Sequence, residues 1–161
     1  MPRDERPEDR GPAFAPVTND ELHGFYFEDL TVGMTAVYSR TITEADVANF
    51  AAVSGDINPV HLSDQFGKGG MFEGRIAHGM LSASFISAVI ANRLPGPGAI
   101  YMSQSLKFMA PVRAGDTVNT RLTVRELNDE KHRAVIDTIC MVDGEPVIQG
   151  EAMVKVPSRE D

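Results

Sequence analysis

The residues of this chain best suited to chemistry lie in one short polar stretch, Gly55-Asp56-Ile57-Asn58-Pro59-Val60-His61. A carboxylate and an imidazole, with reference pKa values of about 4 and 6.5, can hold one water and move its protons near neutral pH. Pro59 fixes its own φ and disfavours the α region for Asn58, which predicts an irregular turn rather than a helix or a paired strand. A turn can bring Asp56 and His61 together. This segment is the best candidate for a proton-transfer site, but the spacing alone is a weak signal and by itself favours an Asp-capped turn with an incidental surface histidine.

A second motif, Arg75-Ile76-Ala77-His78-Gly79-Met80-Leu81, leads into a long apolar run. No proline interrupts the chain from Ile76 to about Leu94, and the helix predicted there has apolar side chains nearly all round. Such a helix is typical of a protein interior. Other elements must therefore cover it.

The covering elements are expected to be strands. Thr43 is the predicted N-cap of a first helix, which should stop at Gly55. The last strand alternates most clearly, because every second residue from Ile148 to Val156 is apolar or small. The strands are predicted over Met34–Arg40, Ala99–Phe108, Thr117–Leu127, Arg133–Val142 and Pro146–Val156. The predicted fold class is α+β, a curved antiparallel sheet of about five strands wrapped around a long central helix.

The length of 161 residues fits a single domain with one substantial core. Residues 1–24 carry many prolines and charges and too few apolar side chains to pack, so a disordered tail is expected there. The folded domain is expected over residues 25–157, with a short tail over residues 158–161.

The composition narrows the possible partners. A formal net charge of −8 argues against binding to nucleic acid or to an anionic membrane surface. Cys140 is the only cysteine, so it is expected to be a small buried residue without a disulfide. No secretory signal is visible at the N-terminus, and the longest apolar stretch is too short to cross a membrane. A soluble, cytoplasmic protein is expected.

In order and spacing, these motifs resemble the MaoC-like branch of the hot-dog fold, and within it the (R)-specific enoyl-CoA hydratases. The resemblance runs from about Phe27 to Pro157. Several separate motifs carry it, which makes it far more specific than the Asp and His alone. They occupy residues 43–47, 54–62, 75–81, 104–108 and 111–116.

The resemblance implies that Asp56 and His61 are the catalytic pair and hold the water that adds across the double bond of a trans-2-enoyl-CoA. The product would be an (R)-3-hydroxyacyl-CoA. Such a reaction also needs a donor at the thioester oxygen, because the β-carbon is electrophilic only when that carbonyl is polarised. Gly79 is the candidate, since its N–H lies at a helix start and it has no Cβ to keep a thioester away. Which of Asp56 and His61 acts as base, and which as acid, stays open.

Other residues of these motifs have a possible substrate role and a simpler structural one. Asn58 could orient His61 or the water, or could be a turn residue before Pro59. His78 could meet the substrate, or could cap or pack the helix start. By the resemblance Ser87 would line the acyl pocket, and Ile90, one turn further along that helix face, would close it after a short acyl tail.

Coenzyme A is expected only as part of the substrate, with no separate cofactor and no metal. A zinc site from Asp56, His61, Asp64 and His78 matches no standard ligand spacing. Arg75 and Lys107 are candidates for binding the phosphates of coenzyme A, because an acidic protein must neutralise them locally. The resemblance also implies a homodimer.

Three other functions fit parts of this pattern. A hot-dog thioesterase usually has an acid on the central helix, but this helix has none from Gly79 to Leu94. A dehydratase acting on acyl carrier protein would run the same chemistry in reverse. A non-enzymatic acyl-CoA binding module would tolerate the loss of Asp56 or His61.

Overall fold

The computed structural model describes residues 15–160, so Asp161 and the part of the predicted tail over residues 1–14 lie outside the described residues. The helices are α1 (Asn19–Leu22), α2 (Glu44–Ser54), α3 (Pro59–Leu62), α4 (Asp64–Gly67) and α5 (Gly79–Asn92). The strands are β1 (Thr35–Thr41), β2 (Ile100–Gln104), β3 (Lys107–Phe108), β4 (Thr117–Asn128), β5 (Arg133–Val142) and β6 (Glu145–Lys155).

The six strands form one antiparallel sheet in the order β1-β4-β5-β6-β2, with β3 also paired to β6. Strands β2 and β3 therefore follow one another along the same edge of the sheet. The sequence had predicted them as one strand over Ala99–Phe108. Helix α5 packs on the sheet against β1, β4 and β5. This arrangement confirms the predicted α+β class with a central helix.

The core lies between α5 and the sheet. Val118, Leu122, Ile136 and Val154 are fully buried, which confirms the inward alternation expected of the strands. Helix α5 is less enclosed than predicted, because Met80, Ser84 and Ser87 are exposed while Leu81, Phe85, Ile86 and Val89 face the core. No helix in residues 15–160 is both long enough and apolar enough to span a membrane.

Helix α2 begins and ends where its sequence predicted. The Thr43 hydroxyl accepts a hydrogen bond from the Asp46 N–H at 3.1 Å, and the Asp46 carboxylate accepts one from the Thr43 N–H at 2.9 Å. These Thr43 hydrogen bonds lower the pKa of Asp46. Gly55 stops the helix with a φ of 77°, which favours a residue without a Cβ. The stop leads directly into Asp56.

The ordered part of the chain extends beyond residues 25–157 at both ends. Residues 19–22 form α1, and the N–H of Gly24 donates to Pro97 O at 2.8 Å. At the other end, the Arg159 guanidinium binds both carboxylate oxygens of Asp29 at 2.8 and 2.9 Å. The predicted tails therefore pack on the body of the domain at residues 19–24 and 158–160, through contacts too distant in sequence to be expected.

We predict that the Cys140 thiol is inert in the folded protein. Its side chain is fully buried, as the sequence suggested, and burial raises the pKa of the thiol. A disulfide reagent at pH 8 should label it only after unfolding in guanidinium chloride. Rapid, stoichiometric labelling of the native protein would contradict this packing.

Gly150 is predicted to be indispensable for stability. An added Cβ would lie 1.8 Å from the carbonyl oxygen of Ser105, where the edge strand breaks between β2 and β3. Gly150→Ala should lower the free energy of unfolding by about 1–3 kcal/mol or more, because backbone must move. Gly70→Ala is the matched control, since its Cβ meets only ordinary contacts. Equal denaturation midpoints for the two variants would refute the close approach.

Candidate active site

The Asp56–His61 segment differs from the predicted irregular turn in one respect. Helix α3 begins at Pro59, so His61 lies in a single helical turn. Proline is tolerated there because the first helical residue needs no hydrogen-bonded N–H. The Asn58 side chain caps this turn by accepting from the Val60 N–H at 3.1 Å, which is the structural role foreseen for it. The segment is therefore rigidly held.

The catalytic candidates Asp56 and His61 face each other across a gap. Their nearest atoms, Asp56 Oδ2 and His61 Nε2, are 3.8 Å apart, which is too long for a direct hydrogen bond. The other carboxylate oxygen, Oδ1, accepts from the Asn58 N–H at 3.2 Å. The Asp56 side chain is half exposed, whereas that of His61 is 11 % exposed. Such a gap suits one bridging water.

The tautomer of His61 follows from its backbone contact. Its Nδ1 lies 2.8 Å from the carbonyl oxygen of Ile76, which can only accept. Nδ1 therefore carries a proton, and in the neutral ring Nε2 presents a lone pair to the gap. His61 is thus placed to accept a proton from a water held beside Asp56.

His78 lies under this pair. Its ring stacks on that of His61 with centroids 3.8 Å apart, and its Nε2 lies 2.9 Å from the backbone carbonyl oxygen of Asp56. By the same argument, Nε2 is protonated and donates. His78 is only 2 % exposed. The packing role foreseen for it is present, and it also fixes the backbone that carries the Asp56 carboxylate.

A largely apolar cavity of about 430 Å³ opens beside these residues. Asp56, His78 and Gly79 line it, whereas His61 borders a smaller hollow of about 260 Å³ on the other side of Ile76. Gly79 is the first residue of α5, so its N–H has no partner within the helix. Five further residues line the cavity and were not predicted from the sequence to do so: Phe72, Ser82, Phe108, Met109 and Ile148.

Two predicted acyl-pocket residues do not meet this cavity in the single chain. Ser87 is exposed on α5, and Ile90 is buried in the core at 2 % exposure. They lie further along the helix than the residues that line the cavity. Ser82, four residues after His78, comes to the cavity instead, and that helical spacing was the available signal.

Arg75 is committed to neighbouring carboxylates rather than free for phosphates. Its guanidinium binds both oxygens of Glu44 at 2.8 and 3.0 Å and Asp64 at 2.7 Å. These bonds tie α2 to α4 beside the site. Lys107, on β3, is exposed and remains the predicted cation for coenzyme A.

Asp56, His61 and His78 could each offer a metal ligand, since suitable atoms lie within 4.8 Å of one another. The stacked imidazoles do not suit a shared ion, because a ring nitrogen binds metal in its own plane and these planes are only 28° apart. Asp64, the fourth residue of the imagined zinc site, pairs with Arg75. The arrangement favours water over metal.

The fold and site together define an α+β domain with an Asp–His gap beside a largely apolar cavity. Residues 31–144 match the family model described as MaoC like domain, so the chain belongs to the MaoC-like family, as its motifs predicted.

Relatives that are named for their activity match nearly all of this fold. An (R)-specific enoyl-CoA hydratase of Rhodospirillum rubrum is 53 % identical over 140 residues, which is 87 % of this chain and 97 % of that protein. A 3-hydroxybutyryl-CoA dehydratase of Methylorubrum extorquens is 50 % identical over 141 residues, 88 % of this chain and 90 % of that one. Among solved structures, the unliganded R-hydratase PhaJ1 of Pseudomonas aeruginosa is 43 % identical with a TM-score of 0.80, covering 86 % of this chain and 89 % of that one. The hot-dog fold is thereby established.

We predict that Gly79→Ala impairs activity without unfolding the protein. The added Cβ would lie 2.6 Å from Cε1 of the Phe108 ring, which is half exposed and can swing into the cavity. Misplacing a substrate by about 1 Å can cost about 10²-fold, so kcat/KM for crotonyl-CoA should fall at least tenfold. Gly70→Ala serves again as the control. Full activity of Gly79→Ala would show that no thioester approaches this helix start.

Proposed function

We propose that this protein is an (R)-specific enoyl-CoA hydratase, adding water reversibly to the 2,3 double bond of a trans-2-enoyl-CoA. The observation that carries the proposal is the 3.8 Å gap between Asp56 Oδ2 and His61 Nε2, with the lone pair of His61 directed into it. The cavity beside it offers an apolar place for the acyl chain. The activities named for the relatives from Rhodospirillum rubrum and Methylorubrum extorquens are the two directions of this chemistry.

In the proposed reaction, one water donates hydrogen bonds to Asp56 Oδ2 and His61 Nε2. Its oxygen forms a bond to C3 of the enoyl thioester while Nε2 takes one of its protons. The π electrons of the double bond move towards the thioester, giving an enolate at C2. The His61 imidazolium then returns a proton to C2, and the neighbouring Asp56 carboxylate stabilises the transient positive charge. Atoms and protons balance, and both side chains end as they began.

The enolate needs a hydrogen-bond donor at the thioester oxygen, and Gly79 N–H is the proposed one. The first N–H groups of α5 point out of the helix and carry the positive end of its dipole. Removal of one such donor typically costs about 10²–10³ in rate, which is as large as the contribution of a general base.

The proposed substrate carries coenzyme A as the thiol half of its thioester, which stays intact through the reaction, with Lys107 near the phosphates, and neither a separate cofactor nor a metal takes part. Short acyl chains are proposed because a 50 % identical relative is named for a four-carbon substrate. We also propose that the protein is cytoplasmic and dimeric. The β2–β3 edge exposes Ile100, Met102 and Phe108, and an unpaired apolar edge of this kind suits pairing with a second copy.

Asp56→Asn and His61→Ala should each lower kcat for crotonyl-CoA by at least about 10², because each removes a proton-transfer or water-holding group. The measurement is loss of absorbance at the enoyl thioester band. Circular dichroism should show an unchanged fold in both variants.

Asp143→Asn is a matched control for the first variant. Asp143 lies in the β5–β6 turn with a φ of 51°, a conformation that asparagine adopts as readily as aspartate. Activity within about threefold of wild type in Asp56→Asn or His61→Ala would remove the basis of the proposed mechanism.

A further inference from the structure

The cavity beside Asp56 contains two buried polar atoms without a partner. Within residues 15–160, neither His78 Nδ1 nor Ser82 Oγ has a hydrogen bond. His78 is 2 % exposed and Ser82 is fully buried, and both line the cavity of about 430 Å³. Buried polar groups are nearly always paired, so two unpaired atoms on residues that line one cavity indicate a missing common partner.

The chemistry of that partner follows from the two atoms. His78 Nε2 donates to Asp56 O at 2.9 Å, so in the neutral ring Nδ1 can only accept. The Ser82 hydroxyl can donate as well as accept. The missing group must therefore donate to Nδ1, and a group that also accepts from the Ser82 hydroxyl satisfies both atoms, as a hydroxyl or a water does.

Ser82 also departs from the usual behaviour of serine in a helix. A serine in a helix commonly donates to a carbonyl one turn back. Ser84, on the exposed face of α5, does so towards Leu81 O at 2.5 Å. Ser82 makes no such bond to His78 O. His78 is the N-cap of α5 and Ser82 follows it by four residues, so both side chains belong to the first turn, where one oxygen bonded to each is the simplest common partner.

We propose that His78 and Ser82 form a polar subsite in the acyl cavity for one hydroxyl-sized group, which donates to His78 Nδ1 and accepts from Ser82 Oγ. The proposal rests on the proposed function only in naming the cavity as the acyl site. The group has two possible sources, a resident water or a hydroxyl on the acyl chain of the substrate. If the group is a water, Ser82 acts on catalysis through His78, which holds the backbone of Asp56, and is a positioning residue. If it is a substrate hydroxyl, Ser82 binds the substrate directly.

The first test is crystallographic and needs no activity. A structure of the unliganded wild type at about 1.5 Å should show one ordered oxygen within about 3.2 Å of both His78 Nδ1 and Ser82 Oγ if the source is water. Ser82→Ala should lose that oxygen. If the source is the substrate, the oxygen should instead appear in a complex with a 4-hydroxyacyl-CoA. A Ser82 hydroxyl bonded to His78 O, with no oxygen at this position in either structure, overturns the subsite.

The second test separates the sources by kinetics. Crotonyl-CoA and 4-hydroxycrotonyl-CoA are compared in wild type, Ser82→Ala and Ser82→Thr, with Ser84→Ala as the control on the exposed face of α5. A water position predicts that Ser82→Ala lowers kcat/KM for both thioesters by the same factor, at least fivefold. A substrate hydroxyl predicts a loss at least tenfold larger for the hydroxylated thioester. Ser82→Thr, which keeps the hydroxyl, should restore most of either loss.

Equal kinetics of Ser82→Ala and Ser84→Ala on both thioesters would refute a role in the reaction. Absence of hydration in the wild type would refute the proposed function alone, because the crystallographic test would still decide whether the subsite exists.

Discussion

The site depends on two hydrogen bonds in which a histidine ring donates to a backbone carbonyl. His61 donates to Ile76 O, and His78 donates to Asp56 O. These bonds cross between two segments of chain, fix both tautomers and stack the two rings at 3.8 Å. If either bond were lost, the lone pair of His61 or the carboxylate of Asp56 would no longer be directed into the same gap. Proton transfer requires that placement before any substrate binds.

The surrounding charges hold this arrangement in place. Arg113 donates to the backbone carbonyls of Phe72 and Arg75, and so fastens the loop that precedes Ile76. Arg75 in turn bridges Glu44 and Asp64. Arg75 therefore helps to fix the position of Ile76 O, the carbonyl oxygen of the next residue, rather than attracting the phosphates of coenzyme A. A cation engaged by two carboxylates has few donors left for a third anion.

The sequence was informative where the determinants are local. The Thr43–Asp46 capping box, the Gly55 stop and the alternation along β6 each involve residues a few positions apart, and all three are present in the structure. The stretch without proline reached back to Ile76, but α5 begins at Gly79, the helix start also expected for the thioester donor. The N–H groups of Ile76 and Ala77 bond instead to Val60 O and Val112 O, far away in sequence. The pairing of Arg75 with Glu44, 31 residues apart, was invisible for the same reason. Ser82 was overlooked because α5 has three serines, and only the spacing of four residues from His78 distinguishes Ser82 as the one beside the cavity.

In the proposed reaction, the water held by Asp56 and His61 attacks C3 of an enoyl thioester from a single face. Chiral chromatography of the product formed from crotonyl-CoA tests this claim most directly. Because one rigid gap supplies the water, the account predicts 3-hydroxybutyryl-CoA with the R configuration in large excess and no free coenzyme A. A racemic or S product, or release of free coenzyme A in place of a hydroxyacyl thioester, would contradict it.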